Sequence, residues 1–131
     1  MRGGGMKTRV KWLDRTVIRS PYCIALCTKE TDFKHELKRL KVPLSSAPEW
    51  IMRGKDATVH YLYSPQGQCC VVCIDKKAKA SPLEIVGLLV HEAVHIWQSI
   101  LEDMGEGNPG NEIEAYAIQV LSQELIGAYK I

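Results

Sequence analysis

No run of apolar residues in this chain approaches the roughly 18 that a membrane-spanning helix needs. The opening Met1-Arg2-Gly3-Gly4-Gly5-Met6 also lacks the hydrophobic stretch of a secretory signal. Charge of one sign is missing too. The 17 Lys and Arg residues stand against 15 Asp and Glu, interspersed, for a formal charge of +2. Nothing marks out a basic stripe for nucleic acid or a face for an anionic membrane. No internal repeat appears, and no low-complexity segment beyond the first glycines. These absences point to a cytoplasmic protein without nucleic-acid or membrane partners. At 131 residues the chain suits one domain that buries roughly two thirds of its unfolded surface. Residues 1–6 read as a disordered arm and 7–131 as that single domain.

What is plentiful is cysteine. Cys23, Cys27, Cys69, Cys70 and Cys73 are five, an odd number, and with no export signal they argue for a reducing compartment rather than a disulfide framework. Cys70 and Cys73 have C-x-x-C spacing, but they fall in a run that reads as a strand, where positions three apart face opposite ways. They are expected to be small buried apolar residues, the alternative being a cysteine metal site assembled from several strands.

In chain order, Lys7 to Arg19 alternates in places and suggests one bent strand or a short hairpin. Tyr22 to Cys27 is a compact apolar run, either a strand or a helical turn. Thr31 or Asp32 can cap a helix carrying Phe33, Leu37 and Leu40, with Lys34, Lys38, Arg39 and Lys41 turned to water, until Pro43. Ser45 to Gly54 is loop-like, with Trp50 as an anchor. Ala57 to Tyr63 and Gln68 to Asp75 are β-rich runs joined by Ser64-Pro65-Gln66-Gly67, a hairpin signal, and the second should be the more buried. Lys76 to Ala80 reads as a solvated linker.

Ser81, Pro82 and Glu84 then mark a helix start as N-cap, first-turn proline and capping-box glutamate. Leu83, Val86, Leu89, Val90, Ala93, Val94, Trp97, Ile100 and Leu101 recur at helical spacing as far as Gly105, giving a helix over about 82–104. It carries His91-Glu92-Ala93-Val94-His95. Residues four apart stand one above the other, so two imidazoles can meet one ion. Glu92 lies about 100° round, suited to taking a proton from a metal-bound water rather than to ligating. The bland alternative is a helix with two incidental histidines on its polar edge. After the glycine-rich turn Gly105 to Gly110, a second helix is expected over about 111–129, packed antiparallel on the first.

A catalytic zinc usually takes three protein ligands. No histidine occurs after His95, which excludes the class extended as H-E-x-x-H-x-x-G-x-x-H. The second helix opens instead with Asn111-Glu112-Ile113-Glu114-Ala115-Tyr116. With His91-Glu92-Ala93-Val94-His95, this resembles the gluzincin (glutamate zincin) metallopeptidases, above all the small single-domain members often carried by phages and bacteria. The resemblance spans roughly residues 57 to 125, and Tyr116 stands where that family often has Asp or Asn. It implies an α+β zincin-like fold, in which a small sheet with the 57–75 hairpin packs on the H-E-x-x-H helix and the glutamate helix. It also implies one Zn2+ per chain on His91, His95 and Glu112, with Glu92 as general base and a peptide or protein as substrate.

Glu112 and Glu114 are about 200° apart on a helix, so at most one faces the metal. The family pattern selects Glu112. Glu114 remains the alternative ligand, or the capping partner of an Asn111 N-cap. Gln98 and Glu102 continue the face of His95, as Tyr116, Gln119 and Gln123 continue that of Glu112, and these polar residues could line a cleft and orient the histidines. Tyr116 or His60 could donate a hydrogen bond to a developing oxyanion. The expected activity is a zinc metallopeptidase, with substrate paired along the Ala57 to Tyr63 strand. Its rivals are a non-catalytic zinc-stabilised binding or regulatory module and another zinc hydrolase, an amidase or a deformylase with Cys73 as ligand. Oligomeric state is not legible.

Overall fold

The computed structural model describes residues 5–13, 21–65, 67–76 and 80–130. Within them the chain forms β1 (Trp12–Leu13), β2 (Cys23–Cys27), α1 (Glu30–Arg39), a 3-10 turn (Leu44–Ser46), β3 (Ala57–Ser64), β4 (Gly67–Ile74), α2 (Pro82–Met104) and α3 (Asn111–Tyr129). The strands make one sheet in the order β1-β2-β4-β3. β2 and β4 are parallel, while β1–β2 and β3–β4 are antiparallel. The class is α+β. Of the 7–19 region only Trp12–Leu13 is a described strand, and residues 14–20 lie outside the described residues, as do 77–79 of the linker.

β4 is covered on both sides, which is why it reads as nearly continuous Cys, Val and Ile. Cys70, Val72 and Ile74 join Ile24, Leu26, Leu89, Ile96, Leu121 and Leu125 in a core under α2 and α3. Val71 and Cys73 join Cys27, Phe33 and Leu37 on the opposite face, under α1. Cys70 and Cys73 thus point to opposite faces. Cys27 and Cys73 are register partners on β2 and β4, as are Cys23 and Cys69, and each of the five cysteines is a thiol rather than half of a disulfide. Burial pushes the Cys70 and Cys73 thiols up in pKa, as expected of inert core residues.

α1 departs from expectation at both ends. Lys29 is its N-cap, without a side-chain cap. Arg39, expected in water, is buried, because the Glu36 carboxylate one helical turn back accepts from its Nε and Nη2 at 2.9–3.1 Å. Lys41 follows at φ 61.

α2 starts on a full capping box: Ser81 Oγ accepts from the Glu84 N–H, and the Ser81 N–H donates to Glu84 Oε1. It ends on Gly105 at φ 73, a left-handed conformation that favours glycine. α3 begins differently from expectation. Its N-cap is Gly110, not Asn111, and no side chain caps it.

Candidate metal centre

α2 places His91 and His95 one turn apart on its exposed side, and their Nε2 atoms are 3.0 Å from each other, the rings edge-on at 77°. Two nitrogens bound tetrahedrally to one zinc at about 2.0–2.1 Å would stand about 3.3 Å apart, so the pair already has nearly the right bite. The nitrogens behind them matter as much. His95 Nδ1 lies 3.2 Å from Gln98 Oε1. With the Gln98 amide oxygen as acceptor, the proton of His95 belongs on Nδ1 and the Nε2 lone pair is left for its neighbour or for a metal.

Glu92 comes from the same helical turn but faces inward, only 7% exposed. Burial raises its carboxyl pKa above the ordinary value, against the opposing influence of His91, His95 and Lys55. A carboxyl pushed toward working pH is better matched to accept and return a proton. His91 and Glu92 open on a cleft of 810 Å³ between the N-terminal half of α2 and the loop that carries Lys55 into β3.

On the sheet side, strand alternation decides which β3 residues approach α2. Tyr61 does, at 39% exposure, and Ser99 Oγ donates to its Oη at 2.9 Å. Its own hydroxyl comes within 3.5 Å of the His95 carbonyl, and burial pushes its pKa up to about 12. Tyr22 packs against Tyr61 with the rings tilted by 58° and their centroids 5.5 Å apart, and it donates to Asp103, tying the far end of α2 to the start of β2. His60, one residue earlier, points to the other face, where it stacks on Phe33 at 4.8 Å and its Nε2–H donates to the Trp50 carbonyl at 2.9 Å. The sheet separates it from the histidine pair.

The remaining ligand candidates are not gathered. Among the described residues no three His, Cys, Asp or Glu side chains stand close enough to share an ion. The reason is the side on which α3 packs. Trp97 Nε1 donates to Glu114 Oε2 at 3.1 Å, and on a helix Trp97 lies about 120–160° round from His91 and His95. Glu114 is therefore Trp97's partner, neither a capping residue nor near the pair. Glu112 is exposed, and Tyr116, Gln119 and Gln123 continue an exposed face. The α2–α3 seam is built instead from Ala117, Leu121 and Leu125.

The structure thus brings together two imidazole nitrogens at near-ligand separation and the Glu92 carboxylate on the same helical turn, without a third ligand among the described residues. Two contributors stand out only in the structure, Tyr61 and Lys55. Strand alternation would have set Tyr61 apart from His60, whereas Lys55 follows Gly54 at φ 79 in a turn with no local signal for what it faces. No family model matches this chain, and no curated protein and no solved structure is found to be similar to it.

Proposed function

We propose that this chain is a zinc-dependent hydrolase of peptide bonds, with His91 and His95 holding the ion and Glu92 as the general base. The observation that carries the proposal is the 3.0 Å approach of two imidazole nitrogens on the helical turn that also buries Glu92. When bound, zinc supplies Lewis acidity and makes water acidic enough to lose a proton near neutral pH. Glu92 would accept a proton from water held at the pair on a carboxylate oxygen and return one to the leaving amine. Gln98 Oε1 keeps the His95 Nδ1 proton in place, so the ring does not turn away.

The cleft beside His91 and Glu92 gives room for a peptide. β3, paired only with β4 among the described residues, offers a free edge to an extended backbone. An exposed, open pair of histidines is a poor structural staple, since structural zinc sites are closed by four protein ligands. The rival reading is a module that binds zinc without turnover.

Glu92→Gln separates the two. The variant is expected to keep the zinc of the wild type, measured by mass spectrometry, and to lose cleavage of a mixed fluorogenic peptide library by about two orders of magnitude or more. Equal cleavage by variant and wild type overturns Glu92 as base. Zinc in both with cleavage in neither selects the binding module, and a wild type that takes up no zinc removes the proposal.

A further inference from the structure

Among the described residues, the cleft that His91 and Glu92 share is lined by the carboxylates Asp56, Glu84 and Glu92 and one ammonium, Lys55, besides Asp75, which has a partner of its own. Its walls also include Trp50, Ile85 and Leu88. A surface with apolar flanks and a carboxylate end accommodates a long aliphatic stem with a cation at its tip.

Position along α2 gives the arrangement a direction. Glu84 and His91 are seven residues apart, which puts them on one side of the helix within about 20° and about 10 Å apart along its axis. A residue whose backbone sits against His91 can send a lysine or arginine stem over Leu88 toward Glu84, with Asp56 on the loop opposite. A glutamate or aspartate side chain on the same path would meet like charge. One of the cleft's carboxylates also lacks a partner: Glu92 is 7% exposed, lines the cleft and has no hydrogen bond with any described residue. Its oxygens keep their acceptor capacity for something that enters the cleft.

We infer that the cleft beside His91 selects peptides with a lysine or arginine next to the bond presented to the histidine pair. The inference rests on the peptidase reading for which bond is cut, but the preference is a property of binding. Glu84 and Asp56 are specificity residues, and Lys55 keeps the cation away from the Glu92 end.

The test is peptide binding to the full chain, with and without added zinc. Five-residue fluorescein-labelled peptides carry Arg, Lys, Leu or Glu at the centre of an otherwise alanine sequence, and binding is followed by anisotropy. The Arg and Lys peptides are expected to bind about tenfold more tightly than the Leu peptide, and more tightly still than the Glu peptide. The margin should shrink as salt rises, because the groups at the cleft mouth are open to screening. Asp56→Asn with Glu84→Gln should cut the margin several-fold. Glutamine at that third helical position can still serve the capping box, so the double variant is expected to fold.

Equal binding of all four peptides, a preference for Leu or Glu, no binding at all, or a margin that survives the double variant each overturns the inference. Hydrolysis and binding fail separately. Cleavage without a basic preference removes the inference and spares the peptidase reading. A basic preference that persists in protein that never cleaves removes the peptidase reading and spares the cleft.

Discussion

Trp97 Nε1 donates to Glu114 Oε2 across the seam between α2 and α3, at 3.1 Å. The indole is 1% exposed, and a buried N–H without an acceptor is costly, so this contact fixes both the roll of α3 and the fate of its glutamates. Glu114→Ala leaves the indole unsatisfied and is expected to lower stability by about 1–3 kcal/mol, read as a urea midpoint, with zinc content unchanged. Glu112→Ala, on the exposed side, should change neither. If Glu112→Ala alone lost its zinc, α3 would have to present its other face to the histidines, as the gluzincin resemblance implies.

The same pair shows where sequence and structure part. The H-E-x-x-H helix is legible almost to the residue, because Ser81, Pro82, Glu84 and Gly105 are local signals that act within one turn. The hairpin is legible for the same reason. What α3 presents to α2 depends on which of two glutamates finds a buried donor, and that donor, Trp97, is 17 residues away. Period-2 alternation in β3 separates His60 from Tyr61 only once the positions of α1 and α2 on opposite faces of the sheet are known. Arg39 obeys the same logic: helical spacing puts it on the polar side, and only the tertiary burial of Glu36 draws it in.

Gln98 should matter for the metal although it need not touch it. Its Oε1 holds His95 Nδ1, and removing such an orienting partner typically costs about 10–100-fold in metal affinity. Because both groups are exposed, Gln98→Ala is expected near the lower figure, about tenfold, by competition with a chromogenic chelator, with the melting temperature unchanged. Zinc affinity equal to wild type would mean that the imidazole needs no help from Gln98 to hold its tautomer.

Glu36 gathers three donors on the other side of the sheet. Arg39 meets it at 2.9 Å, and Thr8 Oγ1 and Trp12 Nε1 donate to the same Oε1 at 2.9 and 2.8 Å. Burial alone would raise this carboxyl's pKa, but the hydrogen bonds from Arg39, Thr8 and Trp12 outweigh it and hold it below the ordinary value. A depressed folded pKa contributes stability that is present above the unfolded value of 4.5 and lost as pH falls through the folded one. Glu36→Gln removes the carboxylate that meets the buried Arg39 at 2.9 Å, for an expected loss of about 3–5 kcal/mol at neutral pH. The variant should also lack this part of the acid destabilisation. Replacing both partners with apolar residues should cost less than Glu36→Gln. Similar losses for the single and double changes would mean that the ion pair is not what holds this face together.

His60 gives the opposite pH signature. Burial lowers its pKa from the ordinary 6.5, and the bond to the Trp50 carbonyl only partly restores it. An unfolded chain therefore takes up a proton near pH 6.5 where the folded one does not. Across that window the unfolded state binds more protons, so stability is full above about pH 6.5 and falls as pH drops toward the folded value. His60→Gln keeps a donor for the Trp50 carbonyl and cannot titrate. It should lose the ring stacking on Phe33, at a cost of order 1 kcal/mol at neutral pH. Between about pH 7.5 and about pH 5.5 its urea midpoint should decline less than that of the wild type. Parallel declines would assign the acid sensitivity to another group, and His60 would then be a packing residue whose proton has no bearing on the fold.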